Sequence, residues 1–104
     1  MYVVGITACP TGIAHTYMAQ ESLEKELAKR GYEYKIETQG SIGIENELEQ
    51  DEIDRADMII LCVSIEIEFG ERFDDKKVYY GNVDECISYP HEVVDKALEF
   101  YGLK

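Results

Sequence analysis

A chain of 104 residues with a 45% apolar share is sized for one small globular core. Its 22 acidic and 10 basic residues give a formal net charge of −12, which argues against nucleic acid or a bare anionic membrane as partner but leaves room for a basic or apolar patch on another protein. The longest apolar runs, near Val3 and from Met58 to Val63, are far too short to span a bilayer, and no basic segment of a signal peptide precedes the first strand.

Three widely spaced cysteines, with no CxxC pair, argue against a disulfide framework and for a reducing, cytoplasmic setting. In chain order, Tyr2 to Thr7 is apolar on both faces, as a central parallel strand should be, with Gly5 allowing close packing against a helix. Cys9 stands just beyond it, and an amphipathic helix then runs to about Arg30. Gly12, Thr16, Ala19, Leu23 and Leu27 form its sheet-facing stripe, and Glu21 with Lys25 and Glu26 with Arg30 make i,i+4 pairs on the solvent side. Gly31 occupies the place of a left-handed helix cap.

A second strand is expected from about Tyr32 to Thr38, and the glycine-containing stretch from Gln39 to Asn46 reads as a loop at the same edge as Cys9. A short acidic helix from Gln50 to Ala56 leads to the most hydrophobic run, Met58 to Val63, a central third strand. The alternating, charged segment from Ser64 to Phe69 reads as an exposed loop at the active edge. Ile65, Ile67 and Phe69 in it form either a docking surface or a partly buried strand edge. Lys77 to Tyr80 predicts an edge strand, and a last helix follows Ser88, with Pro90 in its first turn and Gly102 at its end. This order predicts an α/β fold: a single domain with a four-stranded parallel sheet, order 2-1-3-4, and helices on both faces.

A cysteine between a strand's carboxyl end and a helix's amino end sits where unpaired N–H groups collect and the helix dipole is positive. A thiol so placed ionises easily, with a pKa of roughly 3.5 to 7.5 against about 8.5 for a free one. The loop after it can cradle a dianion such as phosphate. The amides of Thr11, Gly12, Ile13, Ala14, His15 and Thr16 are the candidate donors, whereas Pro10 has none to give. Cys9 is thus read as a nucleophile that accepts and passes on a phosphoryl group, against the default of a buried structural thiol. Tyrosine phosphatases carry Cys, five residues, Arg, then Ser or Thr; here the same register gives Cys9, five residues, His15 and Thr16. The arginine fork that grips phosphate is missing, which suits a carrier better than a hydrolase.

Cys62 and Cys86 read as core thiols. Cys9 with His15 would need two further ligands to hold zinc, and none is evident, so neither metal nor cofactor is expected. Gln39 and Ser41 either line the phosphate site or only make a glycine-flanked turn. Glu45, Glu47, Glu49, Asp51 and Glu52 read as a solvated face, and His91 as a surface residue.

The stretch ITACPTGIAHTYMAQE, with ETQGSIGIEN from Glu37 to Asn46, closely resembles the IIB domain of the fructose-specific branch of the bacterial sugar phosphotransferase system. The likeness extends through Arg72-Phe73 to the Pro90 helix and so covers residues 1–104. It implies a phosphocysteine carrier: Cys9 takes phosphate from a phosphohistidine on a IIA component and delivers it to fructose or a related sugar held by the membrane permease IIC. The IIB protein itself would be cytoplasmic, peripheral to the inner membrane through IIC and not inserted in it. The acidic Ser64 to Gly70 segment and the Tyr79-Tyr80 pair depart from the family pattern and point toward its fructose-like members. Met1 lies one residue before the first strand, which predicts a freestanding subunit. A small cysteine phosphatase and a thiol-based interaction or redox module are the competing readings.

Overall fold

The amino-terminal apolar run becomes β1 (Tyr2–Ala8), and in the computed structural model, which describes residues 1–10 and 14–103, it is flanked on both sides by parallel neighbours. Val3 turns to one face of the sheet and Val4 and Ile6 to the other, and all three are fully buried, which is why the run carries no polar alternation. The chain continues through α1 (Ala14–Lys29), β2 (Glu33–Gly40), β3 (Gly43–Glu45), α2 (Gln50–Arg55) and β4 (Met58–Val63). A 3-10 turn (Gly70–Phe73), β5 (Tyr79–Gly81), α3 (Val83–Ser88) and α4 (Pro90–Phe100) complete it.

The sheet order is β3-β2-β1-β4-β5. Four of these strands run parallel in the order expected from the sequence; β3 is an additional antiparallel strand on the outer edge of β2. The stretch expected to be a loop is therefore a hairpin. β2 runs on to Gly40, Gly40 pairs with Gly43, and Gly43 adopts φ 105°, which a side chain would oppose. Three residues are too few to reveal a period in the sequence. The other unexpected element, α3, is also short. Its first turn is capped by Asn82, whose side-chain oxygen accepts from the Glu85 N–H at 2.8 Å.

Helices cover both faces. Leu23 and Leu27 of α1, with Val93, Val94 and Ala97 of α4, pack on one face against Ile36, Met58 and Ile60. Ile53 of α2, with Leu48, Phe73 and Val78, covers Val4, Ile6, Ile59 and Leu61 on the other. Gly5 is required by the sheet itself and not by a helix: a Cβ there would lie 2.5 Å from the carbonyl oxygen of Ile60, its partner in the ladder. Gly5→Ala is expected to cost about 1–3 kcal/mol, because the interior backbone of β4 cannot step aside. Urea unfolding of the two proteins checks this, and an unchanged midpoint would contradict the close approach.

Two sequence expectations about side chains are corrected. Cys62 of β4 and Cys86 of α3 form a disulfide, with both residues buried. Once α3 lies over the sheet their Cα atoms are 6.6 Å apart, within bridging range. Counting cysteines could not show this while α3 went unrecognised, and the count no longer argues for a reducing compartment. Nor does the Glu26–Arg30 pair face solvent. Arg30 Nε meets Glu26 Oε2 at 2.7 Å and Arg30 Nη2 meets Asp95 Oδ1 at 2.9 Å, so the pair ties α1 to α4. His91 joins it, with Nδ1 3.3 Å from Glu26 and Nε2 3.1 Å from Asp95. Glu21 and Lys25, by contrast, form the exposed pair expected.

Burial pushes the Glu26 carboxyl upward, but the hydrogen bonds and charges of Arg30 and His91 prevail and hold it below the ordinary 4.5. A carboxylate depressed in the folded state contributes stability that is complete above its unfolded pKa and is lost as pH falls through its folded pKa. The denaturant midpoint is therefore expected to drop between about pH 5 and pH 3, and to drop less in Glu26→Gln. Equal slopes in the two proteins would rule out this contribution.

Candidate active site

β1 delivers Cys9 to the carboxyl edge of the sheet, where crevices of parallel α/β proteins open. The residue is half-buried, a thiol packed partly against the core under α1, α3 and α4. Its position is fixed from two sides. The carbonyl of Ala8, one residue earlier, accepts the Ser64 N–H at 3.0 Å, which joins the start of the 64–69 loop to the base of the site. One residue before that, the buried Thr7 hydroxyl donates to the Thr16 carbonyl at 3.0 Å and ties the strand to the first turn of α1.

Two clefts meet at Cys9. One, of about 200 Å³, is walled by Gln39, Gly40 and Ser41 of the hairpin and by Ile65, Glu66 and Glu68 of the 64–69 loop. The other, of about 240 Å³, is walled by His15, Ser64, Asn82, Val83 and Asp84. Among the described residues neither is lined by a lysine or an arginine, and both carry carboxylates. A third hollow, lined by Leu61, Val63, Phe73 and Tyr80, is mostly apolar and does not reach Cys9.

Of the residues picked out in sequence, Cys9 and His15 share one cleft. Ala14 opens α1, and both it and His15 are exposed. Thr16 is buried against the sheet, and its hydroxyl is without a hydrogen-bond partner among the described residues. Thr11, Gly12 and Ile13, the remaining candidate donors, lie outside the described residues. Gln39 and Ser41 do border Cys9, but Gln39 belongs to a strand and not to a turn. Ile65 and Phe69 are exposed at the rim and Ile67 is half-buried.

Local sequence pattern assigns no role at this edge to Glu37, Arg72, Tyr17 or Glu45. Glu37 is fully buried, and its two oxygens receive Arg72 Nη1 at 2.8 Å and Arg72 Nη2 at 3.1 Å. They also accept from Leu48 N–H and Gln39 Nε2, each at 2.7 Å. The hydrogen bond to Glu37 holds the Arg72 pKa above its already high ordinary value against the opposing effect of burial. Tyr17, in the first turns of α1, donates its hydroxyl to Glu45 and so braces the hairpin against the helix. That hydrogen bond, with burial second, raises the Tyr17 pKa. Glu45 is therefore not merely part of a solvated face. Glu52 is not either: it pairs with Lys35 at 2.8 Å and receives the Glu49 N–H that opens α2. Only motif-level likeness pointed to these positions, since Glu37 and Gln39 lie in the second quoted stretch and Arg72 in the segment beyond it.

A largely parallel sheet flanked by helices, with a thiol between the end of its central strand and a long helix, defines the class: a small α/β protein with a cysteine at the carboxyl edge of its sheet. The chain belongs to the IIB subunits of the sugar phosphotransferase system, the family described as "PTS system, Lactose/Cellobiose specific IIB subunit" matching residues 4–96. Within that system it sides with the fructose branch. It is 45% identical over 94 residues to the fructose-like EIIB component 2 of Escherichia coli K12, covering 90% of this chain and 89% of that one. It is 44% identical over 96 residues to the fructose-specific EIIB'BC component of Rhodobacter capsulatus, covering 92% of this chain but only 16% of that longer protein. Among solved structures, a domain of the fructose-specific IIABC component of Borrelia burgdorferi superposes with a TM-score of 0.88 at 41% identity, over 94% of this chain and 93% of that one. The enzyme IIB subunit of E. coli K12 superposes with a TM-score of 0.89 at 37% identity, over 97% and 94%.

Proposed function

We propose that Cys9 is a phosphoryl carrier, loaded from a phosphohistidine on a IIA component and unloaded onto fructose or a related sugar held by a membrane IIC permease. In the first step the thiolate attacks phosphorus, the S–P bond forms and the P–N bond breaks, returning the electron pair to the imidazole. In the second a sugar hydroxyl attacks phosphorus, its proton passes to water, and the S–P bond breaks to restore the thiolate. Amides at the start of α1, from Ala14 to Thr16 together with Thr11, Gly12 and Ile13, would take the charge on the equatorial oxygens.

The observation that carries this reading is the thiol at the meeting of two clefts whose walls, among the described residues, hold carboxylates and no lysine or arginine. A dianion there is held by dipoles among carboxylates, so it is stabilised without being over-bound and leaves readily to an acceptor. A phosphatase would need a cation on the phosphate. Arg72 is engaged instead by Glu37 and by the carbonyls of Leu48, Glu68 and Phe69. The IIC partner is suggested by relatives whose EIIB'BC chains are much longer than this one. No helix among the described residues is long and apolar enough to cross a membrane, which fits a protein that works on the cytoplasmic side through that partner.

Incubation with phosphoenolpyruvate, the general phosphotransferase proteins and a IIA component tests the assignment. The expected product is a single phosphoryl adduct on Cys9, stable in acid and cleaved by iodine as a thiophosphate ester is. Steady release of inorganic phosphate from an aryl phosphate would favour the phosphatase, and a thiol that is oxidised but never phosphorylated would favour the redox module.

A further inference from the structure

The 64–69 loop is exposed apart from Ile67, which packs against the core, and both of its ends are tied down. Its start is joined to β1 by the Ser64 N–H on the Ala8 carbonyl. Its far end is gripped by a buried side chain that imitates a strand: Gln39 Oε1 accepts the Glu68 N–H at 2.8 Å, and Gln39 Nε2 donates to the Glu68 carbonyl at 3.1 Å. The same Nε2 donates to Glu37 at 2.7 Å, and Glu37 is held in turn by the Arg72 fork. Arg72 closes the ring by donating through Nε to the Phe69 carbonyl at 2.8 Å. Phe69 sits at φ 57°, a left-handed conformation that a non-glycine residue keeps only when its surroundings impose it.

We propose that Glu37, Gln39 and Arg72 are positioning residues for phosphoryl transfer: they fix the 64–69 loop as a preformed wall of the Cys9 cleft, against which the phosphohistidine donor seats. The proposal rests on the carrier reading above. Gln39 and Glu68 both border the cleft with Cys9, so the clamp and the wall are one structure. A clamp of this kind acts on orientation, where a displacement of about 1 Å can cost up to about a hundredfold in rate. The clamp's hydrogen bonds run to Glu37, Glu68 and Phe69, so loosening it is expected to spare the reactivity of the thiol itself.

The variant Gln39→Ala separates the two. Transfer from a IIA protein charged with phosphoenolpyruvate is expected to fall about ten- to a hundredfold in kcat/KM. Alkylation of Cys9 by iodoacetamide should keep its wild-type rate, and amide exchange at Glu68 should quicken about tenfold or more as its acceptor disappears. Arg72→Lys keeps a cation opposite Glu37 but loses the fork and the Phe69 contact. It should reproduce the loss of transfer with unchanged alkylation, and it carries the test if Gln39→Ala does not fold. Wild-type transfer in a variant whose loop exchanges faster overturns the proposal, as does a parallel loss of transfer and alkylation. Wild-type protein that takes no phosphate from the same donor overturns the carrier reading itself, and it does so whatever the variants show.

Discussion

Cys9→Ser is expected to abolish phosphoryl acceptance to background while leaving the fold intact. The substitution changes one atom at a half-buried position that touches the core only in part, so the unfolding free energy should stay within about 0.5 kcal/mol of the wild type. What is lost is the ionised nucleophile. A cysteine thiol, at about 8.5 when free, is far more acidic than a serine hydroxyl, which keeps its proton and attacks phosphorus poorly. Mass spectrometry of the two proteins after exposure to phosphoenolpyruvate, the general proteins and IIA reads the difference directly. Survival of the adduct in the serine protein would move the phosphate to another residue, and His15, which shares the second cleft, is the first to examine.

Replacing Glu37 by alanine should destabilise the protein by about 3–5 kcal/mol, the cost of leaving a buried charge without its partner. Arg72 has a side chain only 10% exposed, and without Glu37 its guanidinium would face carbonyls alone. The Leu48 N–H and one amide hydrogen of Gln39 would lose their acceptor as well. Such a loss is a large part of the roughly 5–15 kcal/mol that holds a small domain together. Removing both charges in Glu37→Leu with Arg72→Met should restore much of it, because paired removal leaves no lone ion behind. Equilibrium denaturation of the wild type, Glu37→Leu, Arg72→Met and the double variant completes the cycle, with Glu37→Ala measured beside it. A single-variant cost below about 1 kcal/mol would contradict a buried pair.

What could be read from the chain, and what could not, divides by distance along it. β1, β4 and the sheet-facing stripe of α1 follow from local pattern, and Gly31 at φ 77° ends the first helix as its position suggested. The place of Cys9 at the sheet edge was legible for the same reason: strand, thiol and helix are neighbours in sequence. Glu37 was not, because a carboxylate inside a strand declares itself buried only when its cation is known, and Arg72 stands 35 residues away. The disulfide failed with α3, a six-residue helix whose only local sign is its asparagine cap. The Glu26 pair was found at the right spacing and assigned the wrong side, since α4 arrives some 65 residues later to cover it.

The sheet ends on both flanks in strands of three residues, Gly43–Glu45 on one side and Tyr79–Gly81 on the other. Such clipped borders offer a newcomer too short a row of main-chain groups to lengthen the sheet by another chain. Copies crowded together are thus protected against lateral ribbon growth. On the carrier reading, a phosphate donor or acceptor would find this protein by side chains and shape, arriving over the rim where the strands finish.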